Sequence, residues 1–141
     1  MRPTLLLLST ILATGLATAQ AAPTPDRAAN CVAALKIRAE PLAQRVRQGD
    51  TSAEAQLLPV VTDSFAFIGS SYKQGIESDK ATEMMKAAEA RQAQLPPDEL
   101  SKIQDGCQVE GKQLMAQASA FERMFVNHAA RKRIDRLKRT N

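Results

Sequence analysis

The stretch from Pro97 to Asn141 constrains the fold of this chain most strongly. From Asp98 to about Lys138 it contains no proline, and apolar residues recur at the spacing of an α-helix. These residues are Leu100, Ile103, Cys107, Leu114, Ala118, Phe121, Phe125 and Ala129. A continuous helix over this stretch would be roughly 60 Å long. The pattern therefore predicts a long C-terminal helix against which the other elements pack.

Residues 1–21 have the features of a secretory signal peptide. Arg2 gives a positive start, residues 5–13 form an apolar run without charge, and small residues then supply two A-x-A cleavage patterns. The apolar run is too short to be a good membrane span. We therefore predict cleavage near residues 19–22 and export to the periplasm or the medium. The remaining domain, residues 22–141, would have no transmembrane segment.

The composition of that domain favours helices. Aromatic residues make up 4% of the chain, there is no Trp, and alanine, leucine and methionine are frequent where strands would favour β-branched residues. Prolines and glycines divide the domain into four predicted helices, near residues 26–48, 51–75, 79–94 and 98–138. We predict an all-α fold, a small antiparallel bundle of four helices in a single domain. If the second and third helices run together, the bundle has three.

The second predicted helix has the most regular apolar stripe in the chain. Its members are Leu57, Leu58, Val61, Phe65, Ile68, Tyr72 and Ile76. Periodic apolar residues usually face a core. The pattern is typical of an amphipathic helix.

The two cysteines, Cys31 and Cys107, predict one disulfide. An exported chain with an even number of cysteines usually pairs them. They lie 76 positions apart, which excludes a C-x-x-C redox pair and covalent haem attachment. With the helices running alternately up and down, the short third helix brings the two cysteines to similar heights. The same geometry predicts that the C-terminal helix overruns the end of the bundle.

The C-terminal end, residues 131–139, is strongly basic. It contains one acid, Asp135, and six of the 19 basic residues: Arg131, Lys132, Arg133, Arg136, Lys138 and Arg139. Such a cluster suits an anionic envelope component or an acidic protein, although cations also complement the dipole at a helix C-terminus. Nucleic acid is a poorer fit because no aromatic residue interleaves with these charges to stack on bases.

The segment before the basic end is apolar and includes Phe121, Met124 and Phe125. The default interpretation of Phe121 and Phe125 is core, since they continue the stripe of the helix. If the helix overruns the bundle, these side chains form instead an exposed apolar contact for a partner.

The only histidine, His128, raises an alternative function. A helical bundle can hold haem or a metal through a histidine and a methionine, and Met84 or Met85 could supply the second ligand. Met124 lies one turn from His128 on the same helix and could not reach the opposite face of a haem. A half-buried or surface histidine is the simpler interpretation, so we predict no cofactor.

No pattern of an enzyme active site is present. The acids are scattered, no E-x-x-H pair occurs, and no serine lies in a nucleophile-elbow pattern. We therefore predict a non-enzymatic, exported helical binding or envelope-associated module whose contact surface is the basic end of the last helix. The sequence does not fix its oligomeric state.

Overall fold

The computed structural model describes residues 21–140, which contain five helices and no strand. The helices are α1 (Pro25–Arg47), α2 (Thr51–Lys73), α3 (Ser78–Gln92), α4 (Pro97–Gln117) and α5 (Ala120–Arg139). The predicted signal peptide, residues 1–21, lies almost wholly outside the described residues. No helix within residues 21–140 is long and apolar enough to cross a membrane.

The predicted all-α bundle is confirmed, but the long C-terminal segment forms two helices. Ala118 is extended, with φ −66° and ψ 147°, and Ser119 starts α5. The Ser119 hydroxyl accepts a hydrogen bond from the Glu122 amide, and the Glu122 carboxylate accepts one from the Ser119 amide. This reciprocal capping box satisfies two backbone donors that a helix start leaves open. The segment therefore breaks at residues 118–119 and not at Gly106 or Gly111.

Helix α1 lies at the centre of the bundle. It packs against α2, α3, α4 and α5, whereas α3 packs mainly on α1. Gly49 and Gly75 have positive φ values of 87° and 75° and let the chain turn after α1 and α2. Ion pairs give the helix directions: Arg27 contacts Glu110 and Arg38 contacts Asp105, so α4 runs antiparallel to α1.

Helix α5 turns back along α2 and does not overrun the bundle. Lys73 at the end of α2 pairs with Glu122 at the start of α5, and Lys138 at the end of α5 pairs with Glu54 near the start of α2. The two helices are therefore antiparallel. The predicted overhang is wrong because the break at Ser119 reverses the chain.

The core has two connected parts. Cys31 and Leu35 of α1, Phe67 of α2 and Cys107 of α4 are among the fully buried residues of one part. The other part joins the end of α1 and the start of α2 to the end of α5, and its buried residues are Ala43, Val46, Ala53, Leu57, Ile134 and Leu137. Helix α4 thus contributes buried residues to the first part and α5 to the second.

The predicted disulfide is present. Cys31 and Cys107 are bonded, with their Cα atoms 5.3 Å apart and no exposed surface on either residue. The bond joins the central helix to α4 at the middle of the first core part.

Gly111 allows α4 to approach α2 closely. A Cβ atom at this position would lie 2.6 Å from the Cβ and 3.1 Å from the Cα of Asp63. Those distances are too short for carbon atoms, and the Asp63 Cα belongs to the backbone and cannot rotate away.

We expect Gly111→Ala to destabilise the protein by about 1–3 kcal/mol, the usual cost of overpacking. Gly106→Ala is the matched control on the same helix, since the nearest atom to its added Cβ is Arg27 Nη2 at 4.0 Å. The control should gain up to about 1 kcal/mol from the better helix propensity of alanine. Urea denaturation of both variants tests the contact, and equal stabilisation by the two would contradict it.

Candidate binding surface

The basic end predicted from the sequence forms the last turns of α5 and is exposed. All six of its cationic residues lie at the surface, whereas Ile134 and Leu137 on the opposite side of the helix are buried. Lys138 is engaged with Glu54 at 2.6 Å. Arg133, Arg136 and Arg139 form no ion pair with any residue between 21 and 140.

A fourth arginine, from the other end of the sequence, joins this basic end. Arg47 at the end of α1 lines the same surface depression as Arg133, Arg136 and Arg139. We call these four residues the arginine cluster. Arg47 was not predicted from the sequence, because its position depends on the packing of the end of α1 against the end of α5.

The apolar residues at the start of α5 are exposed. Phe121, Met124 and Phe125 have 70%, 62% and 66% of their surface accessible. The core interpretation of Phe121 and Phe125 is therefore wrong. The side of α5 that faces the core instead carries Val126, Ala130, Ile134 and Leu137.

The regular apolar stripe of α2 is partly exposed as well. Ile68 is 46% and Tyr72 is 82% exposed, whereas Val60 and Phe67, outside the predicted stripe, are buried. Helix α2 therefore has two apolar sides: one packs into the core, and the other faces the surface near α5. Because residues of the two sides alternate closely along the sequence, they look like a single apolar stripe.

Four of these exposed side chains, Ile68, Tyr72, Phe121 and Phe125, share one groove, which Met124 does not line. It lies between α4 and α5, with α2 as its floor, and has a volume of about 710 Å³. Residues from all three helices line it, among them Phe65, Ile68, Leu114, Met115, Phe121 and Phe125. We call it the apolar groove. The two helices that flank it contribute to different parts of the core, α4 to the first and α5 to the second.

The charged residues beside the apolar groove neutralise each other. Lys73 and Glu122 both line it and form an ion pair. The hydrogen bond from Lys73, followed by that from the Ser119 amide, lowers the pKa of Glu122 to about 2. Glu122 is therefore ionised at neutral pH, and its charge offsets that of Lys73.

A buried carboxyl group lies where α2 and α4 cross. Asp63 is only 3% exposed, and its Oδ2 has no hydrogen-bond partner. Burial raises the pKa of Asp63 to about 6, although Lys112 and the side-chain amide of Gln108 act in the opposite direction. Gln108 is held by Arg38, whose Nη1 donates to its Oε1 at 2.7 Å.

The residues of the alternative haem or metal site lie on different parts of the bundle surface. His128 is exposed on α5, whereas Met84 and Met85 are partly buried on α3, which packs mainly on α1. Residues 21–140 contain no group of three or more His, Cys, Asp or Glu side chains placed to hold a metal ion. The haem or metal function stays a prediction.

No protein-family model, curated protein or solved structure matches this chain.

Proposed function

We propose that this protein is an exported, non-enzymatic binding module that attaches to an anionic component of the cell envelope through α5. The observation that carries this function is the arginine cluster. Three of its guanidinium groups come from one helix end and lack a carboxylate partner within residues 21–140. They converge on one depression with Arg47, which forms a 3.6 Å ion pair with Glu40. Arginine binds phosphate groups through paired hydrogen bonds, which suits it to phosphate-bearing envelope lipids.

The exposed apolar start of α5 also supports the proposal that α5 is the contact surface. Phe121 and Phe125 lie on the helix that carries the cluster, at its other end. A patch of exposed apolar side chains usually marks a contact site, and a helix that carries both exposed aromatic side chains and cations is typical of proteins that lie at a membrane surface.

Export is proposed from the signal-like residues 1–21. The disulfide agrees with it, because such bonds persist mainly in oxidising compartments such as the periplasm. An anionic envelope component and an exported protein would then share a compartment.

We expect the protein to bind phosphatidylglycerol vesicles at low salt and to bind phosphatidylcholine vesicles weakly. Changing Arg133, Arg136 and Arg139 to glutamine should weaken binding to the anionic vesicles on the order of 100-fold, at about 1 kcal/mol per cation near such a surface. Vesicle co-sedimentation over a range of salt concentrations measures this binding. Added salt should weaken the binding of the wild-type protein more than that of the arginine variant.

The matched control removes the same charge elsewhere. Lys80, Lys86 and Lys102 are exposed on α3 and α4, and their glutamine variant should bind within a few-fold of wild type. Equal losses of vesicle binding in the arginine and lysine variants would show that the vesicles attract the protein through its net charge alone. Unchanged binding of the arginine variant would exclude the cluster as the contact.

A further inference from the structure

We propose that the apolar groove holds the acyl chain of a single-chain anionic phospholipid, with its phosphate headgroup bound by the arginine cluster. This inference rests on the proposed function and names the ligand of the same surface. It makes the groove and the cluster two parts of one site along α5.

The apolar groove has the size and chemistry of a lipid-chain site. Its volume of about 710 Å³ falls within the range of roughly 300–1,000 Å³ found for small-molecule sites. Its lining is mainly aliphatic and aromatic, and its exposed side chains, such as Ile68 and Phe125, have no apolar partner within residues 21–140 that removes them from water. An acyl chain would provide that partner, and burial of apolar surface would favour binding.

Helix α5 aligns the groove with the cluster. Phe125 and Arg136 are eleven residues apart, which is close to three full helical turns, so they lie on the same side of α5. Ala129 and Lys132 lie between them at the same phase. The separation along the axis is about 16 Å, the length scale of an extended acyl chain. A ligand lying along this side of α5 would therefore pass from apolar to cationic surface.

Charge fixes the orientation of the ligand. At the start of α5, Lys73 is paired with Glu122, and Arg123 donates to the Ala118 carbonyl. Within residues 21–140 that end therefore offers one guanidinium without a carboxylate partner, against three in the arginine cluster at the other end. At the other end, Arg136 Nε donates weakly to the Lys132 carbonyl at 3.4 Å. Its terminal nitrogens form no ion pair with residues 21–140 and can bind a phosphate. The headgroup is thus directed toward the end of α5.

The volume favours a single chain over a docked protein. Stable protein interfaces bury on the order of 800 Å² on each partner, whereas this groove is bounded by a few side chains from each of three helices. The groove therefore suits a single acyl chain better than a protein. A second copy of this chain or a partner helix is the competing occupant, and the experiment must distinguish it from a lipid.

The test is titration calorimetry with lysophosphatidylglycerol below its micelle-forming concentration. We expect saturable binding, at least tenfold weaker binding of zwitterionic lysophosphatidylcholine, and no measurable binding of glycerol phosphate, which lacks the chain. Phe125→Gln should weaken lysophosphatidylglycerol binding by about tenfold or more, because it removes apolar contact area in the groove. Ile68→Gln, on the floor of the groove, should act in the same direction.

Met124→Gln is the matched control. Met124 is as exposed as Phe125 and adjacent to it in α5, but it does not line the groove. Its variant should bind within about twofold of wild type. Both positions are at the surface, so circular dichroism of the variants should match that of the wild type.

Three results would overturn the inference. Unchanged binding of Phe125→Gln and Ile68→Gln would show that the chain does not enter the groove. Equal losses in Phe125→Gln and Met124→Gln would show a general apolar surface effect. A dimer in sedimentation equilibrium that Phe125→Gln dissociates would show that a second copy covers the groove. In each case vesicle binding through the arginines could persist, so failure here is distinct from failure of the proposed function.

Discussion

Replacement of Cys31 and Cys107 by alanine is expected to lower the free energy of unfolding by about 4 kcal/mol. The disulfide closes a loop with a sequence separation of 76, and the chain-entropy treatment assigns about this value to a loop of that length. The loss should be large compared with the total stability of a small domain, which is typically about 5–15 kcal/mol. Urea denaturation followed by circular dichroism measures the change.

A reductant provides the control for this prediction. It should lower the urea midpoint of the wild-type protein toward that of the alanine variant and leave the variant itself unchanged. If the double variant unfolds at the wild-type midpoint, the bond contributes little and the packing of α4 on α1 is sufficient. Because the bond joins α4 to the central helix, its loss should also loosen the α4 side of the apolar groove.

Asp63→Asn is expected to remove a pH dependence from the stability of the protein. Burial raises the pKa of Asp63 from its ordinary value of 3.8 to about 6 in the folded state, so the folded protein binds a proton more tightly than the unfolded chain. The wild-type protein should therefore lose stability as the pH rises from about 4 through 6. At neutral pH the loss from this group should approach about 3 kcal/mol.

In Asp63→Asn this fall should be absent, because the amide does not titrate. Asp79→Asn, at an exposed position on α3, is the control and should keep the wild-type pH dependence. Urea denaturation at several pH values between 4 and 8 measures the free energy of unfolding. The prediction fails if the stabilities of wild type and Asp63→Asn run parallel across this range.

The fold class and the disulfide could be predicted because they depend on local patterns and on compartment. Alanine-rich apolar patterns at helical spacing, punctuated by Gly49 and by the Pro96-Pro97 pair, predicted the helices of the bundle. To predict the disulfide, only the even number of cysteines and an oxidising compartment were required. The rise per helical residue was enough to place Cys31 beside Cys107, since both lie in long, regular helices.

The sequence contains a local signal for the break at Ser119. Ser119-Ala120-Phe121-Glu122 matches the S-x-x-E pattern of a capping box, yet the apolar phase continues across it and no proline marks it. The continuous phase suggested one helix. A backbone that reverses at Ala118 costs little when Ser119 and Glu122 satisfy the exposed amides, so the local signal prevailed.

The apolar groove could not be predicted because periodicity does not say which side of a helix is covered. On α2, the residues Phe65, Ile68 and Tyr72 recur as regularly as those that enter the core. Which set is buried depends on where α4 and α5 pack, and this depends on the break at Ser119. Arg47 was missed for the same reason, because only tertiary packing brings the end of α1 to the end of α5.

The two helices that form the walls of the apolar groove, α4 and α5, are attached to the rest of the bundle in different ways. Helix α4 is bonded covalently to α1 through Cys107, and α5 is held by non-covalent packing and by its ion pairs with α2 at either end. The two residues at 118–119 that join them are outside both helices. A change in the width of the groove therefore requires only α5 to move, while α4 and the floor keep their positions. Since α5 also carries three of the four arginines, such a movement would shift the apolar and cationic parts of the surface together.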